Sequence, residues 1–308
     1  MKLAGTLTLP RGDGRHPAVL LVSGSGVQDR DETLFGHKPF WVIADHLARH
    51  GIACLRVDDR GIGGSSGDPK TATTDDFVGD ALAGVAFLAT QPRIDPAHIG
   101  IIGHSEGGLI GPIAATRSKQ VAFVVMLAGP GVSGAELVPR QLERLLKARG
   151  AAENEIAADV DKQRAIMKIV ASPRDDATAR KDVTAVLAGP SGKPAPELAP
   201  QLDRLLSPWY RNFARYDPRP TLARVKVPVL ALDGELDVQV DADQNVDAIK
   251  KALAHNRKAE VKRLPGLNHL FQHATTGAVD EYGTIAETIA PEVLDLITAW
   301  IRTTAAAR

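Results

Sequence analysis

Short apolar runs alternate with longer amphipathic segments through the first part of the chain. The short runs are rich in branched aliphatic residues, which indicates buried strands, whereas the longer segments repeat apolar residues at helical spacing. The predicted strands are residues 3–9, 18–22, 53–57, 99–102 and 123–127, and the predicted helices are residues 38–50, 74–90 and 105–117. This alternation predicts an α/β fold with a mostly parallel central sheet flanked by helices.

The pattern changes after Gly134. Residues 135–216 contain no strand-like run, and prolines at 173, 190, 194, 196, 200 and 208 divide their charged amphipathic segments into short helices. Strand patterns resume at 227–232 and 260–264, and a last helix is predicted over residues 291–303. We therefore expect a core domain of residues 1–134 and 217–308, with residues 135–216 inserted as a helical cap, or lid.

The amino-acid composition restricts the kinds of molecule that the protein could bind. The 308 residues are 44% hydrophobic, and Lys+Arg and Asp+Glu both number 37, so the formal net charge is zero. Such a chain has no basic field that would attract nucleic acid, and its longest apolar runs are too short to span a bilayer. We expect a small-molecule substrate, no nucleic acid and no membrane span; the sequence leaves a homodimer open.

Cysteine usage and the N-terminus bear on location and cofactors. Cys54 is the single cysteine, so no internal disulfide forms, and no Cys/His cluster has the spacing of a zinc site. We expect neither a metal nor a cofactor. The first ten residues lack the apolar core of a signal peptide, which predicts a cytoplasmic protein unless a removed upstream segment directed its export.

A glycine-rich turn carries the candidate nucleophile. The run Gly103-His104-Ser105-Glu106-Gly107 follows a predicted strand and precedes a predicted helix, as the Gly-x-Ser-x-Gly motif requires. A strand-to-helix reversal at Ser105 forces strained backbone dihedrals, and side chains at the two flanking positions would clash. The motif predicts an exposed serine hydroxyl; the alternative is a plain glycine-rich turn.

A serine hydroxyl becomes nucleophilic when a base takes its proton and a carboxylate orients that base. In this motif's fold the acid follows the serine in the chain. Asp237 lies on the loop after the strand at 227–232, three residues beyond Gly234, and is the candidate acid. The competing carboxylates are Asp233, Asp241 and Asp243, which suit a strand-end turn and a helix start.

The candidate base is His269. It is the one histidine among nine that lies in a glycine-containing loop after the last predicted strand. His273 is the runner-up, and His104 is expected to point away from the serine at such a turn. The other histidines, at 16, 37, 46, 50, 98 and 255, have no comparable setting.

Two backbone N–H groups should stabilise the oxyanion of an acyl-transfer intermediate. The first is that of Glu106, the residue after the nucleophile. The second is assigned to Ser25, with Gly26 as the alternative, because the run Ser23-Gly24-Ser25-Gly26 lets the backbone approach a ligand closely. A Gly/Ser turn of no special purpose is the competing interpretation.

Two further stretches stand out. Asp58, Asp59 and Arg60 are interpreted as structural, with Arg60 tying loops together through the carboxylates at 29 and 31. Trp209, Tyr210, Phe213 and Tyr216 concentrate aromatic rings in a chain with only 4% aromatics. The first three are candidates for a substrate pocket; packing of the cap onto the core is the alternative role.

The motifs together resemble the α/β-hydrolase superfamily. The segments "SGSGVQDRDE", "DDRGIGGSSGD", "GHSEGG", "LAGPG" and "LPGLNHLFQ" are similar to bacterial carboxylesterases and relatives of serine aminopeptidases. The resemblance implies an eight-stranded type of sheet with a helical cap, and Ser105, Asp237 and His269 as the triad. One departure concerns the second oxyanion donor, since many members have His-Gly where this chain has Ser23-Gly24.

The sequence thus predicts a serine hydrolase that cleaves carboxylic esters through an acyl-enzyme. A serine aminopeptidase or acyl-peptide hydrolase would need acidic cap groups for the substrate ammonium, and Glu143, Glu153, Glu155 and Glu197 are available. A thioesterase or lactone-opening enzyme remains an alternative. A haloalkane dehalogenase is disfavoured by serine at position 105, and a non-catalytic receptor by the presence of all three triad residues.

Overall fold

The computed structural model describes residues 1–188 and 198–306, and within them seven strands form one sheet in the order β1-β3-β2-β4-β5-β6-β7. All neighbouring strands are parallel except β1, which pairs antiparallel with β3. The strands are β1 Gly5–Thr8, β2 His16–Val22, β3 Ala53–Val57, β4 Ile94–His104, β5 Phe123–Leu127, β6 Val229–Gly234 and β7 Ala259–Leu264. The predicted α/β fold is confirmed.

Helices cover both faces of the sheet because its central strands are buried on both sides. On β5, Phe123 and Val125 pack with α1 and α11, whereas Val124 and Met126 pack with α2, α3 and α10. This alternation is the two-residue period of a strand. These helices are α1 Pro39–Arg49, α2 Thr74–Ala89, α3 Gly107–Arg117, α10 Ala242–Ala252 and α11 Pro291–Ala306.

Two expectations about the strands need correction. The resemblance implied an eight-stranded type of sheet, but the described residues form seven strands, with the antiparallel β1 at one edge. Strand β4 also begins at Ile94, ahead of the predicted start. Its pairing with β2 shifts register between Ile94 and Ile99, and such an irregularity tolerates Pro96 and polar residues that hide the strand in the sequence.

A group of helices lies between β5 and β6 and has an apolar cluster of its own. That cluster includes Met167, Val170, Val183 and Leu202, all buried. The helices are α4 Gly134–Ala148, α5 Glu153–Val170, α6 Asp176–Ala188, α7 Leu198–Leu205 and α8 Pro208–Arg215, and the short α9, Arg219–Leu222, precedes β6. The expected proline breaks at 190, 194 and 196 lie outside the described residues. No helix of the described chain is both long and apolar enough to cross a membrane.

Candidate active site

Ser105 occupies the sharp turn between β4 and α3. Its backbone φ is +52°, in the left-handed region that residues with a β-carbon rarely adopt, and its N–H donates to the Leu127 carbonyl at 2.8 Å. A side chain at Gly103 would overlap the Gly107 carbonyl, and one at Gly107 would overlap the Val22 carbonyl. The strained turn predicted from the sequence is therefore present, and only glycine fits on either side.

The loop after β6 brings Asp237 to the loop after β7, which carries His269. His269 Nδ1 lies 2.6 Å from Asp237 Oδ2, and both side chains are buried. Asp237 Oδ1 accepts the backbone N–H groups of Gln239 and Val240 at 2.7 and 2.8 Å. These two bonds fix the carboxylate, so that its other oxygen orients the imidazole.

His104 links the turn at Ser105 to the loop that carries His269. The His104 and His269 rings lie 4.8 Å apart between centroids, and His104 Nε2 lies 3.0 Å from the His269 carbonyl oxygen. Within the described part of the chain no hydrogen bond joins Ser105 Oγ to the His269 ring. Catalytic hydrogen bonds of this kind often tighten only when substrate is bound.

Glu32, which the sequence reasoning missed, joins this network. Its side chain is 1% exposed, and Oε1 accepts the Gly24 N–H at 2.7 Å and lies 2.9 Å from His104 Nδ1. Burial opposes a charge on His104, but the Glu32 carboxylate and its hydrogen bond raise the pKa of the His104 imidazole above its usual value. The signal in the sequence was the Glu32 that ends the run "SGSGVQDRDE".

The glycine-serine loop after β2 faces the serine. A β-carbon on Gly24 would lie 3.1 Å from Ser105 Cβ and 3.6 Å from Ser105 Oγ. Within the described chain, the backbone N–H groups of Ser25 and Glu106 donate no hydrogen bond. Ser25 lines the same cleft as Ser105, whereas Gly26 lines neighbouring pockets.

Hydrogen bonds to Asp59 hold the two ends of this loop in place. Asp59 accepts the Ser23 hydroxyl at 3.1 Å and the Gln28 N–H at 2.8 Å. Burial, together with the nearby charges of Glu32 and Glu106, raises the pKa of the Asp59 carboxyl to about 7 despite these hydrogen bonds. The carboxylate thus stabilises the conformation of the loop, in line with the structural interpretation of this residue.

A cleft of about 330 Å³ opens above Ser105 between the core and the inserted helices. Trp209, Tyr210 and Phe213 line it, and the Trp209 ring stacks on Phe213 at 5.5 Å with 13° between planes. The indole N–H of Trp209 donates to both carboxylate oxygens of Glu106, at 2.9 and 3.0 Å. The aromatic residues therefore wall the cleft and also attach the helices to the core. The fourth ring, Tyr216, instead bonds Thr221 at 2.7 Å.

The buried carboxylate of Glu106 accepts the hydrogen bonds through which Trp209 attaches the inserted helices to the core. It also accepts the Thr74 hydroxyl at 2.7 Å. Burial raises the pKa of the Glu106 carboxyl, while the bonds from Thr74 and Trp209 act in the opposite direction. Glu106, the residue after Ser105, thus holds the inserted helices through its side chain.

Three of the four alternative candidates for the acid and the base pair with other residues. Asp241 pairs with Arg140, Asp243 with Arg263, and His273 with Glu287 and Glu292 at 2.8 and 2.9 Å. Asp233 is fully buried, and neither carboxylate oxygen has a hydrogen-bond partner among the described residues. Burial, followed by the charge of Asp237, raises the pKa of Asp233 well above its usual value.

The expected partners of Arg60 were wrong. Arg60 binds Asp80 and Asp76 on α2. It is Arg30 that binds Asp58, with Nε 2.9 Å from Oδ1 and Nη2 2.6 Å from Oδ2. Arg30 lowers the pKa of Asp58 to about 2 through this hydrogen bond. The sequence places several acidic and basic residues close together in these segments. It therefore does not indicate which of them pair; the fold determines the pairs.

The model of the alpha/beta hydrolase family matches residues 19–281, a span that contains the serine turn and the loops that carry Asp237 and His269. The chain belongs to the alpha/beta hydrolase family. Among curated proteins this hydrolase-family chain is similar to the esterase EstD of Thermotoga maritima, 30% identical over 273 residues. That match covers 87% of this chain and 58% of EstD, so the chain spans little more than half the length of that relative.

Solved structures show the same fold. GrgF, an alpha/beta hydrolase from a Penicillium species, has a TM-score of 0.59 at 18% identity, covering 99% of this chain and all of GrgF. Est1E from Butyrivibrio proteoclasticus, with ferulic acid bound, has a TM-score of 0.58 at 17% identity, covering 99% and 94%. Likeness at this level of identity establishes the fold alone.

In residues 1–188 and 198–306 no group of three or more His, Cys, Asp or Glu side chains is placed to hold a metal ion.

Proposed function

We propose that the protein is a serine hydrolase that cleaves carboxylic esters through an acyl-enzyme intermediate. The observation that carries the proposal is the buried pair of His269 and Asp237, 2.6 Å apart, on loops that converge on the strained turn at Ser105. The three residue types, in the chain order Ser, Asp, His, match the roles of nucleophile, orienting acid and base. The similarity to EstD supports an ester as the bond that is cleaved.

In the proposed mechanism, Asp237 holds the proton on His269 Nδ1 and leaves Nε2 as the base. His269 takes the Ser105 proton as the oxygen attacks the carbonyl carbon, and then delivers that proton to the departing alcohol. Water, activated by the same imidazole, hydrolyses the acyl-enzyme and restores the serine. Asp237 stabilises the transient imidazolium and stays ionised.

The oxyanion is held in this proposal by the N–H groups of Glu106 and Ser25. Both amides lack an acceptor within the described chain, and the Gly24 backbone lies directly beside the Ser105 hydroxyl. Of the two candidates for the second donor, Ser25 is favoured over Gly26 because it lines the cleft with Ser105. Removal of one such donor typically costs about 3–4 kcal/mol of transition-state stabilisation.

Residues 135–216 act in this proposal as the cap that sets substrate choice. Trp209, Tyr210 and Phe213 form the apolar wall of the substrate cleft, in addition to attaching the cap. Of the acidic groups that an aminopeptidase could use, the three described ones do not line this cleft: Glu143 pairs with Arg140 and Lys147, and Glu153 and Glu155 are exposed at the start of α5. Glu197 lies outside the described residues. An ester without an ammonium group therefore fits the cleft better.

The test is turnover of 4-nitrophenyl butyrate, an acyl-thioester and an aminoacyl nitroanilide by the purified protein. We expect ester hydrolysis that falls by a factor on the order of 10⁴ to 10⁶ in Ser105→Ala, since removal of a triad member leaves only binding and the oxyanion hole. Ser118→Ala, at the other end of α3, is the control and should keep full activity. Normal ester turnover by Ser105→Ala would refute the proposal, and a preference for the thioester or the nitroanilide would reassign the substrate.

A further inference from the structure

The cleft above Ser105 contains a cation that has no counter-charge among the described residues. Arg204 lies in the last turn of α7, lines the cleft and is exposed to solvent. Within the described part of the chain its guanidinium makes no ion pair and no hydrogen bond. The carboxylate of the neighbouring Asp203 pairs with Arg180, whose Nη2 lies 2.5 Å from Asp203 Oδ1. Arg204 is close enough to Tyr210, on the cleft wall, for its charge to act on the phenol.

No described carboxylate in the cleft is free to neutralise this charge. Glu106 is the acidic residue among those described in the lining, and its carboxylate is buried and bonded to Thr74 and Trp209. Three neutral amides, Gln141, Gln163 and Gln201, also line the cleft, and their side chains have no hydrogen-bond partner among the described residues. The helical side of the cleft thus presents one positive charge and several unused N–H donors.

These groups match the chemistry of a carboxylate. Arginine presents a fork of N–H donors that fits two carboxylate oxygens, and an amide N–H adds a further donor. Gln201 and Arg204 are three residues apart on α7, so they lie on one face of that helix. A substrate ammonium would instead meet repulsion from Arg204.

We propose that the substrate is an ester that carries a carboxylate, and that Arg204 is the residue that selects it. This inference rests on the proposed ester hydrolase function and adds the charge of the substrate to it. The ester carbonyl lies at Ser105, and the carboxylate extends across the cleft to the guanidinium of Arg204, with Gln201 beside it.

The test compares matched esters that differ only in charge. For the acyl side the pair is mono-4-nitrophenyl adipate and its methyl ester, and for the alcohol side it is 4-acetoxybenzoate and 4-acetoxybenzamide. We expect kcat/KM to favour the anionic member of one pair, and Arg204→Gln to lower that value about 10- to 100-fold, as the loss of a charge-assisted hydrogen bond does. For the neutral esters, kcat/KM of Arg204→Gln should differ from that of the unmodified protein by less than about twofold. Arg204→Glu should reverse the preference, so that the neutral ester is hydrolysed faster than the anionic one.

Two controls separate the outcomes. Arg164→Gln, on α5, removes an exposed charge that pairs with Asp161 and should leave the ratio unchanged. The preference should weaken as the salt concentration rises, because the guanidinium is exposed and its charge is screened. If all four esters are hydrolysed but Arg204→Gln changes neither ratio, this inference is wrong while the hydrolase function stands. If none is hydrolysed, the proposed function itself fails.

Discussion

At the scale of single residues, the protonation of His104 follows from its two partners. The His269 carbonyl can only accept a hydrogen bond, so His104 Nε2 must carry a proton. Glu32 Oε1, which already accepts the Gly24 N–H, faces Nδ1. An ionised carboxylate also only accepts, so we expect His104 to be an imidazolium that donates from both nitrogens. This buried contact connects the glycine-serine loop after β2 to the loop that carries His269.

Glu32→Gln should therefore destabilise the protein in a pH-dependent manner. Because the pKa of His104 in the folded protein is raised above its usual 6.5, the ion pair stabilises the fold fully below that value. The contribution is lost as the pH rises through the raised pKa. We expect the substitution to lower the free energy of unfolding by about 3 kcal/mol at pH 6 and by clearly less at pH 9, as measured by urea denaturation.

The matched control for this measurement is Glu287→Gln. Glu287 makes the same type of contact, 2.8 Å from His273 Nδ1, but that histidine side chain is 55% exposed. An exposed pair contributes at most about 1 kcal/mol. Equal penalties for Glu32→Gln at pH 6 and pH 9 would contradict the protonation of His104.

The residues of the proposed triad could be named from the sequence because their roles depend on local context. Ser105 follows a strand and is flanked by glycines, and Asp237 and His269 follow later strands in a fixed order. Glu32 and the pairing of Arg30 with Asp58 could not be named in this way. Their partners are separated from them by 72 and 28 residues, and no local periodicity encodes such contacts.

At the scale of elements, one buried contact joins α8 of the inserted helices to the start of α3 in the core. It consists of the Trp209 indole N–H on the buried Glu106 carboxylate, supported by the stacking of Trp209 on Phe213. Because the backbone N–H of Glu106 is also a proposed oxyanion donor, a change in this contact should reach the catalytic step.

Trp209→Phe should lower both stability and activity. The substitution keeps an aromatic ring beside Phe213 but leaves the Glu106 carboxylate with one partner fewer, which costs about 1–3 kcal/mol. We expect a lower melting temperature and a reduced kcat/KM for ester hydrolysis. In a double-mutant cycle with Glu106→Gln, the two substitutions should be non-additive by at least about 0.5 kcal/mol.

Trp300→Phe is the control for this prediction. Its indole N–H also donates to a carboxylate, that of Glu260, at 3.0 Å, but on α11 and β7 of the core. The control should lower stability while leaving kcat/KM unchanged. If both tryptophan variants affected activity equally, the contact at Trp209 would have no special connection to catalysis.

The boundaries of the strands and helices show where the hydrophobic pattern predicts structure correctly and where it does not. Strands β3 and β5 coincide with the predicted ranges because they are buried on both faces and are apolar at every position except Arg56 of β3. The start of β4 was missed, since Asp95 and Pro96 interrupt the apolar pattern at a shift in register. Helix α3 was predicted to begin at Ser105 but begins at Gly107, because Ser105 is in the left-handed region.

At the scale of the whole molecule, the site is assembled from loops far apart in the chain. The loops after β2, β4, β6 and β7 meet at the carboxyl edge of one parallel sheet, where ligands of α/β folds usually bind. The order of elements in the sequence therefore predicted which residues would converge. How the inserted helices cover that edge depends on packing that the sequence pattern does not reveal. The same holds for Arg204, which pairs with no described residue.

The most direct measurement is labelling by a fluorophosphonate probe, with the modified residue located by mass spectrometry. The account predicts a single adduct on Ser105, formed with loss of fluoride, absent in Ser105→Ala and formed far more slowly in His269→Gln. Absence of labelling, or equal labelling of Ser105→Ala, would contradict the claim that Ser105 is an activated nucleophile.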